Sequence, residues 1–306
     1  MPGRPYRLRG PKTRMEHLQA FYQRTGQSSS QMAGGVWLVE TRLSVFSTPG
    51  SIPLRPTKSE IVNLLQRTGR IAAIFGSGFE TGKEVNSFVV RDRSYGMQSL
   101  QRQFRQQVKI ALQHCHCRPV EWHEMARLAL PVNQSTMARR GVHAPRYTDP
   151  MRWAAYCEAA SLLPGCEAIG CFVGGELAAY MITWLHAGVC YGLYMLWTES
   201  LRAAHPTHAL YYETVRDRMS RPEVEAMCVG RQTVPAMTSV DRFKRHAGFM
   251  PEPCHVGVIL RPGVSSIMTH PWSVRALRSI RQRAGHRWPK LHHAEVFEVA
   301  AETHLS

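Results

Sequence analysis

Residues 167–184 read EAIGCFVGGELAAYMITW. Two apolar runs flank two consecutive glycines. Glycine reaches positive φ without steric cost, and a two-residue turn of the primed type needs that conformation at its centre. The stretch therefore predicts a β-hairpin: Glu167–Val173, a turn at Gly174-Gly175, and Glu176–Leu185 returning. Downstream, His186–Gly188 turns again and Cys190–Thr198 makes a third strand. The loop Glu199–Thr207 leads into a helix, His208–Ser220. Glu225–Val229 reads as a strand, Ser239–His246 as a helix and Val256–Leu260 as a strand. The resulting order is β-β-β-α-β-α-β. A strand, a loop and a helix N-terminus in succession favour negative charge, through free N–H groups and the helix dipole.

Upstream, Met97–Cys115 places Leu100, Phe104, Val108, Ala111 and Leu112 on one helical face, with Arg102, Arg105 and Lys109 elsewhere. Arg118–Trp122 reads as a short strand, followed by helices over Trp122–Arg139 and Pro150–Leu163. Nearer the N-terminus, Met15–Thr25 predicts a short helix and Val36–Phe46 a strand. Thr57 or Ser59 caps a helix that runs through Gln66 and ends at Gly69. Ile71–Phe75 and Ser87–Val90 predict two strands around the turn-rich Gly76–Lys83. Past Pro262 a basic tail contains a helical pattern, Ser273–Ala284.

The chain has 306 residues and is 44% hydrophobic, enough for a sizeable core. Lys and Arg total 38 against 22 Asp and Glu, a formal charge of +16, and only six of the 38 are lysines. An arginine-borne excess suits phosphate or carboxylate, hence an anionic partner. No apolar run is long enough for a membrane-spanning helix. The basic start MPGRPYRLRGPKTR lacks the apolar core of a secretory signal, and eight cysteines are too few for a disulfide scaffold. These features lead us to expect a cytoplasmic protein.

Several chemistries lack their signatures. GSGFETGK (Gly76–Lys83) has the wrong glycine spacing for a phosphate loop, and Glu84 follows its lysine, so it reads as a hairpin loop. His114-Cys115-His116-Cys117 lacks the second separated pair of a structural zinc site, and we expect no metal. GxSxG, HExxH and CxxC are absent.

The β-β-β-α-β-α-β segment is similar to the GNAT acyltransferase fold. EAIGCFVGGELAAYMITW resembles its central hairpin, HPTHALYYETVRDRM its cofactor-loop helix, and SVDRFKRHAGF a late helix-and-strand signature with a Phe-Lys pair before Gly-Phe. SLQRQFRQQVKIALQHCHCRPVEW resembles the helix and strand that open the second half of Fem-like proteins, which are aminoacyl-tRNA-dependent transferases built from two GNAT-like halves. The resemblance covers residues 95–262, and residues 36–92 loosely. It implies an α/β (α+β) fold with a mixed, mainly antiparallel sheet flanked by helices. The implied organisation is a basic arm (1–14), an incomplete N-terminal half (15–95), a transferase domain (96–262) and a basic tail (263–306).

The function implied is transfer of an acyl or aminoacyl group to an amine of a cell-envelope, sugar or peptide acceptor. GNAT enzymes that use acetyl-CoA carry glycines in the pyrophosphate loop. Arg202–His208 has none and includes Pro206, so acyl-CoA and aminoacyl-tRNA both stand as donors. Lys244, of the Phe-Lys pair, is implied to lie near the transferring carbonyl. Asp241, one turn earlier, and Glu213 are candidate bases. Arg202, His205, His208 and Tyr211 are the candidate donor contacts; Arg105, Lys109 and Arg231 are the candidate substrate contacts. We expect a cleft between the N-terminal portion and the transferase domain, lined by Arg105, Lys109, His205 and Lys244. As an isolated helix lysine, Lys244 reads as an exposed side chain. The competing reading is a catalytically inactive GNAT-like protein that binds nucleic acid through its arm and tail helix. Trp272 and the tail arginines also suit peripheral contact with an anionic membrane surface.

Overall fold

The computed structural model of the protein describes residues 11–39, 43–232 and 238–268, and beyond them positions 270, 272, 273, 275, 276, 279, 299, 300 and 303. The first elements are α1 (Pro11–Arg24), β1 (Ser29–Met32), β2 (Gly35–Val39), β3 (Ser44–Thr48), α2 (Lys58–Thr68), β4 (Ala72–Ser77) and β5 (Lys83–Val90). A 3-10 turn, Met97–Ser99, precedes α3 (Arg102–His114), β6 (Cys115–Val120), α4 (Trp122–Arg140), α5 (Pro145–Thr148) and α6 (Pro150–Ser161). Then come β7 (Cys166–Val173), β8 (Glu176–His186), β9 (Val189–Trp197), α7 (Pro206–Met219), β10 (Ala226–Arg231), α8 (Thr238–His246), β11 (Met250–Leu260) and α9 (Val264–Met268).

One eleven-stranded sheet runs in the order β1-β2-β3-β4-β11-β5-β10-β9-β8-β7-β6. The decisive hairpin forms as expected. β7 and β8 are antiparallel, with Val173 opposite Glu176 and both turn glycines at positive φ. The third strand, β9, pairs antiparallel with β8. Thr57 caps α2 in a capping box with Glu60, and Gly69 ends that helix in the left-handed conformation.

Two expectations change in the N-terminal part. Val36–Phe46 is two strands, β2 and β3, which pair antiparallel. The strands flanking Gly76–Lys83 are not hairpin partners, because β11 lies between β4 and β5 and pairs antiparallel with each. A Cβ on Gly82 would lie 2.3 Å from the Val256 carbonyl oxygen, so this glycine serves a close approach to β11 rather than a tight hairpin. β11 is also longer than the predicted Val256–Leu260, beginning at Met250. Strands from both ends of the chain thus interleave. The segment 1–10 of the basic arm and most of the tail-helix pattern lie outside the described residues, while Pro11–Arg14 belongs to α1.

Two separate cores cover the two faces of the C-terminal sheet. On one face α1, α4 and α6 pack around Trp153, Tyr156, Tyr180 and Trp184. On the other, α3, α7 and α8 pack around Phe104, Tyr211, Met227 and Phe249. A buried ion network ties α7 to β7. Arg218 and Arg221 both bond Glu167, and each also bonds Asp217. Among the described residues no helix is long and apolar enough to cross a membrane.

Candidate functional site

The sheet opens at one place. β9 and β10 are parallel neighbours, but only Val189, Cys190 and Tyr191 of β9 find partners, in Ala226, Met227 and Cys228. Beyond Tyr191 the two strands part. β9 carries a bulge there: Gly192 pairs with Thr183 and Tyr194 with Ile182, which leaves Leu193 without a partner on β8. β10 carries another. Cys228 pairs with Val89 and Arg231 with Ser87, so one residue too many stands between them, and Gly230 takes φ +83°.

The second bulge decides where Arg231 goes. Strand alternation would put Met227, Val229 and residue 231 on the α7–α8 face. The extra residue moves Arg231 to the side of Cys228 and Tyr191, and Gln232 to the α8 side. On its side Arg231 meets a cavity of about 210 Å³ whose walls include Tyr22, Thr48, Tyr191, Leu193, Tyr194 and Gly230. The guanidinium donates from Nη1 to the Phe75 carbonyl at 3.4 Å, and no carboxylate among the described residues pairs with it. Burial lowers its pKa from 12.5, against only a weak opposing effect of Cys254.

On the opposite face Gln232 accepts from the Asn86 backbone N–H (2.8 Å) and side-chain Nδ2 (3.0 Å), and donates to Asp241 Oδ2 (2.8 Å). Asp241 and Lys244 are both buried on α8. The Lys244 ammonium lies 4.8 Å from the centre of the Phe88 ring. Burial depresses its pKa, and the fields of Asp241 and Cys228 only partly offset that. The sheet therefore presents a partly buried arginine on one face, and a buried lysine with a carboxylate on the other.

Residues 93–245 match the family described as Acetyltransferase (GNAT) domain, half of the chain. The chain belongs to the GNAT acetyltransferase domain family. No curated protein matches it in sequence. Among solved structures it is similar to FemX, with a TM-score of 0.53 at 10% identity over 78% of this chain and 90% of that one. It is similar to the C-terminal domain of a protein assigned as a lysylphosphatidylglycerol synthetase from Agrobacterium fabrum, with a TM-score of 0.51 at 10% identity over 80% and 90%. L-PGS from Bacillus licheniformis gives 0.50 at 11% identity over 82% and 92%. These likenesses are likenesses of fold.

Within this GNAT domain the residues singled out from sequence fall into separate groups. Lys244 and Asp241 come together, but Lys244 is buried rather than exposed as an isolated helix lysine would be. The reason is Phe243. Its ring packs against Phe104 (5.1 Å), His208 (5.4 Å) and Tyr211 (5.0 Å), which presses α8 onto α3 and α7 and turns Lys244 inward to Phe88. Glu213 is elsewhere. It pairs with Arg216 and shares a surface recess of about 320 Å³ with Arg118 and Ile169. That places it over β6 and β7, four strand spacings from the β5 residue Phe88, or about 19 Å at ~4.8 Å per strand. Glu213 cannot act on the same atom as Lys244.

The donor-loop expectation also changes. The N–H groups of Arg202, Ala204 and His205 are already bonded to the carbonyls of Glu199, Leu201 and Arg202, and Pro206 has none. Few donors are left for a phosphate. His205 caps α7 from a left-handed conformation, and Arg202 is exposed and paired with Glu199 at 3.1 Å. His208 packs between Phe104 (4.7 Å) and Phe243, with Nδ1 buried and unbonded, and burial pushes its pKa down to about 4. Tyr211 is core, packed against Phe243 and Phe249, with its hydroxyl pushed up to about 12 by burial.

The cleft beside the N-terminal portion exists, but Arg105, Lys109, His205 and Lys244 do not line the cavity found there. Arg105 donates to the Leu100 carbonyl at 2.8 Å, securing the entry to α3, and Lys109 is exposed on the same helix. Of the three candidate substrate contacts only Arg231 lines it. Tyr22, Tyr191, Leu193, Tyr194 and Gln232 went unread in the sequence. A signal did exist for the gap, since a lone glycine inside an apolar strand, as at Gly192, marks a bulge or close backbone approach.

Proposed function

We propose that this protein is an N-acyltransferase that joins an activated acyl or aminoacyl group to an acceptor amine in the gap between β9 and β10. The observation that carries the reading is the parting of these strands after three paired residues, with the bulge residue Leu193, which has no partner residue on β8, beside the cavity. The acyl donor, a coenzyme A thioester or an aminoacyl-tRNA ester, approaches along the α7–α8 face, where Arg202 and His205 stand at the entry to α7. The acceptor, an amine of a cell-envelope, sugar or peptide molecule, enters the cavity on the other face.

In the reaction the amine nitrogen attacks the donor carbonyl carbon as the amine gives up a proton. The tetrahedral intermediate then collapses, breaking the C–S or C–O bond, and the leaving thiol or ribose hydroxyl takes up a proton. The peptide of Leu193, the bulge residue without a partner residue on β8, is the candidate donor to the developing oxyanion. One such donor is worth ~2.7–4 kcal/mol in the transition state. Lys244 adds positive potential from the opposite face, in a site dry enough for its field to reach the oxyanion. Asp241, on the same helix as Lys244 and held by Gln232, keeps Lys244 charged and offsets part of its field.

Two features support this over nucleic-acid binding alone. Arg218 and Arg221 are held by Glu167 and Asp217 within the fold, so that part of the arginine excess serves the fold rather than an external phosphate. The gap would have no purpose in a surface binder. The deciding experiment offers acetyl-CoA and aminoacyl-tRNA in turn, with a panel of amines, and follows amide formation by mass spectrometry. Amide product from either donor supports the reading; binding of tRNA without any turnover of either donor removes it.

A further inference from the structure

Resting on the acyltransfer reading of the same gap, we infer that the acceptor is a small amine that also bears a carboxylate, and that Arg231 binds this carboxylate. The β10 bulge at Gly230 turns the guanidinium into the cavity, where its one hydrogen bond is the long contact to Phe75 O. A partly buried cation with no acid beside it among the described residues is costly to keep. The fold nonetheless builds a bulge to put it there, while satisfying the ions of the Arg218–Glu167 network. Burial against Gly50 leaves room for the guanidinium and little else, since a Cβ on that glycine would come within 3.2 Å of Arg231 Nε.

The class of anion follows from charge and size. Among the described residues Arg231 is the one charged side chain in the cavity wall, which matches a single negative charge better than a dianionic phosphate. The planar fork matches a carboxylate with two parallel N–H donors. About 210 Å³ is below the usual range of drug-sized pockets, which start near ~300 Å³, so the ligand is amino-acid-sized or the end of a larger chain. Tyr191 and Tyr194 give the walls an aromatic surface for its stem. Leu193 and Arg231 line the same cavity, so an amine on the same small molecule as the carboxylate reaches the Leu193 peptide.

The test compares thermal melting of the full chain with that of Arg231→Met and Arg231→Lys at constant ionic strength. The probes are acetate, glycine, L-alanine, L-glutamate, methylamine, ethylamine and inorganic phosphate. Carboxylates should raise the midpoint of the wild-type chain by ~2 °C or more, of Arg231→Lys by less, and of Arg231→Met not at all. Methylamine and ethylamine should have no such effect. Equal responses of wild type and Arg231→Met, or no response of the wild type to any carboxylate, overturn the inference. A phosphate response larger than the carboxylate response, and dependent on Arg231, overturns the carboxylate assignment. Acyl transfer by the wild-type chain is measured in parallel. Turnover without Arg231-dependent carboxylate binding sinks this inference alone, whereas carboxylate binding without turnover of either donor sinks the acyltransfer reading and leaves a carboxylate site.

Discussion

The ammonium of Lys244 lies 4.8 Å from the centre of the Phe88 ring, on the face of the sheet opposite Arg231. A cation over an aromatic ring in a desolvated site is attracted by up to ~2 kcal/mol, which offsets only part of the cost of burying it. Lys244→Met keeps the side-chain volume and removes the charge. We expect the midpoint of unfolding to hold or rise, and transfer to fall about tenfold, as for a charge acting across about two strand spacings rather than through a direct bond. Steady-state kinetics alongside a melting curve check both. Unchanged turnover would reduce Lys244 to a packing residue. Lys244→Ala is the poorer test, because it leaves a cavity beside the buried Asp241 carboxylate.

Lys244 also sets a pH dependence of stability. Burial holds its folded pKa below the usual 10.5, so the unfolded chain binds more protons in the window between the two values. Stability contributed by this group therefore rises with pH across that window and is lowest below the folded pKa. Denaturant titrations of wild type and Lys244→Met should converge as pH approaches 10.5 and differ most at lower pH.

His208 makes the acid limb. Its pKa falls from 6.5 to about 4 on folding, so the native chain keeps it neutral where the unfolded chain protonates it. Stability is lost as pH drops from 6.5 toward 4 and falls no further through this group below that. His208→Phe, which continues the aromatic contacts with Phe104 and Phe243, should flatten the stability profile over that interval while leaving the neutral-pH midpoint within a few degrees. An unchanged acid profile would show that the ring is hydrated.

Gly230 has open space around it but sits at φ +83°, so an added methyl meets backbone strain and no clash. Gly230→Ala should cost about 1–2 kcal/mol. It should also loosen the bulge that aims Arg231, raising KM for the acceptor more than it lowers kcat. A kcat loss with unchanged KM would place the bulge in the chemical step instead.

Arg218 is buried and shared by Glu167, Asp217 and Thr183. Its loss leaves carboxylates without their partner beneath α7. Arg218→Ala should destabilise the fold by about 2–3 kcal/mol, mostly through the buried stem and its bond to Thr183, read from equilibrium unfolding in urea. A cost below ~1 kcal/mol would mean that Arg221 alone satisfies both acids.

Much of the transferase fold is legible along the chain. Alternating apolar runs around Gly174-Gly175, the helical spacing in Met97–Cys115, and the Ser239–His246 segment are local patterns, and local patterns survive folding because each already selects its own backbone conformation. The Phe-Lys pair is legible as a pair, and Arg231 as a cation near a strand end. Which face each side chain reaches is not. One extra residue in β10 reverses the face of everything after it, and Gly230 announces only that φ can be positive. The insertion of β11 between β4 and β5 joins residues about 170 positions apart, and no short-range period encodes such a pairing. Burial of Lys244 depends on Phe243 meeting rings from α3 and α7. Sequence by itself thus determined most elements of the transferase part, the central hairpin and the charge of the site residues. Tertiary structure decided which charges are desolvated and on which side of the gap they stand, since desolvation and facing are set by neighbours distant in sequence.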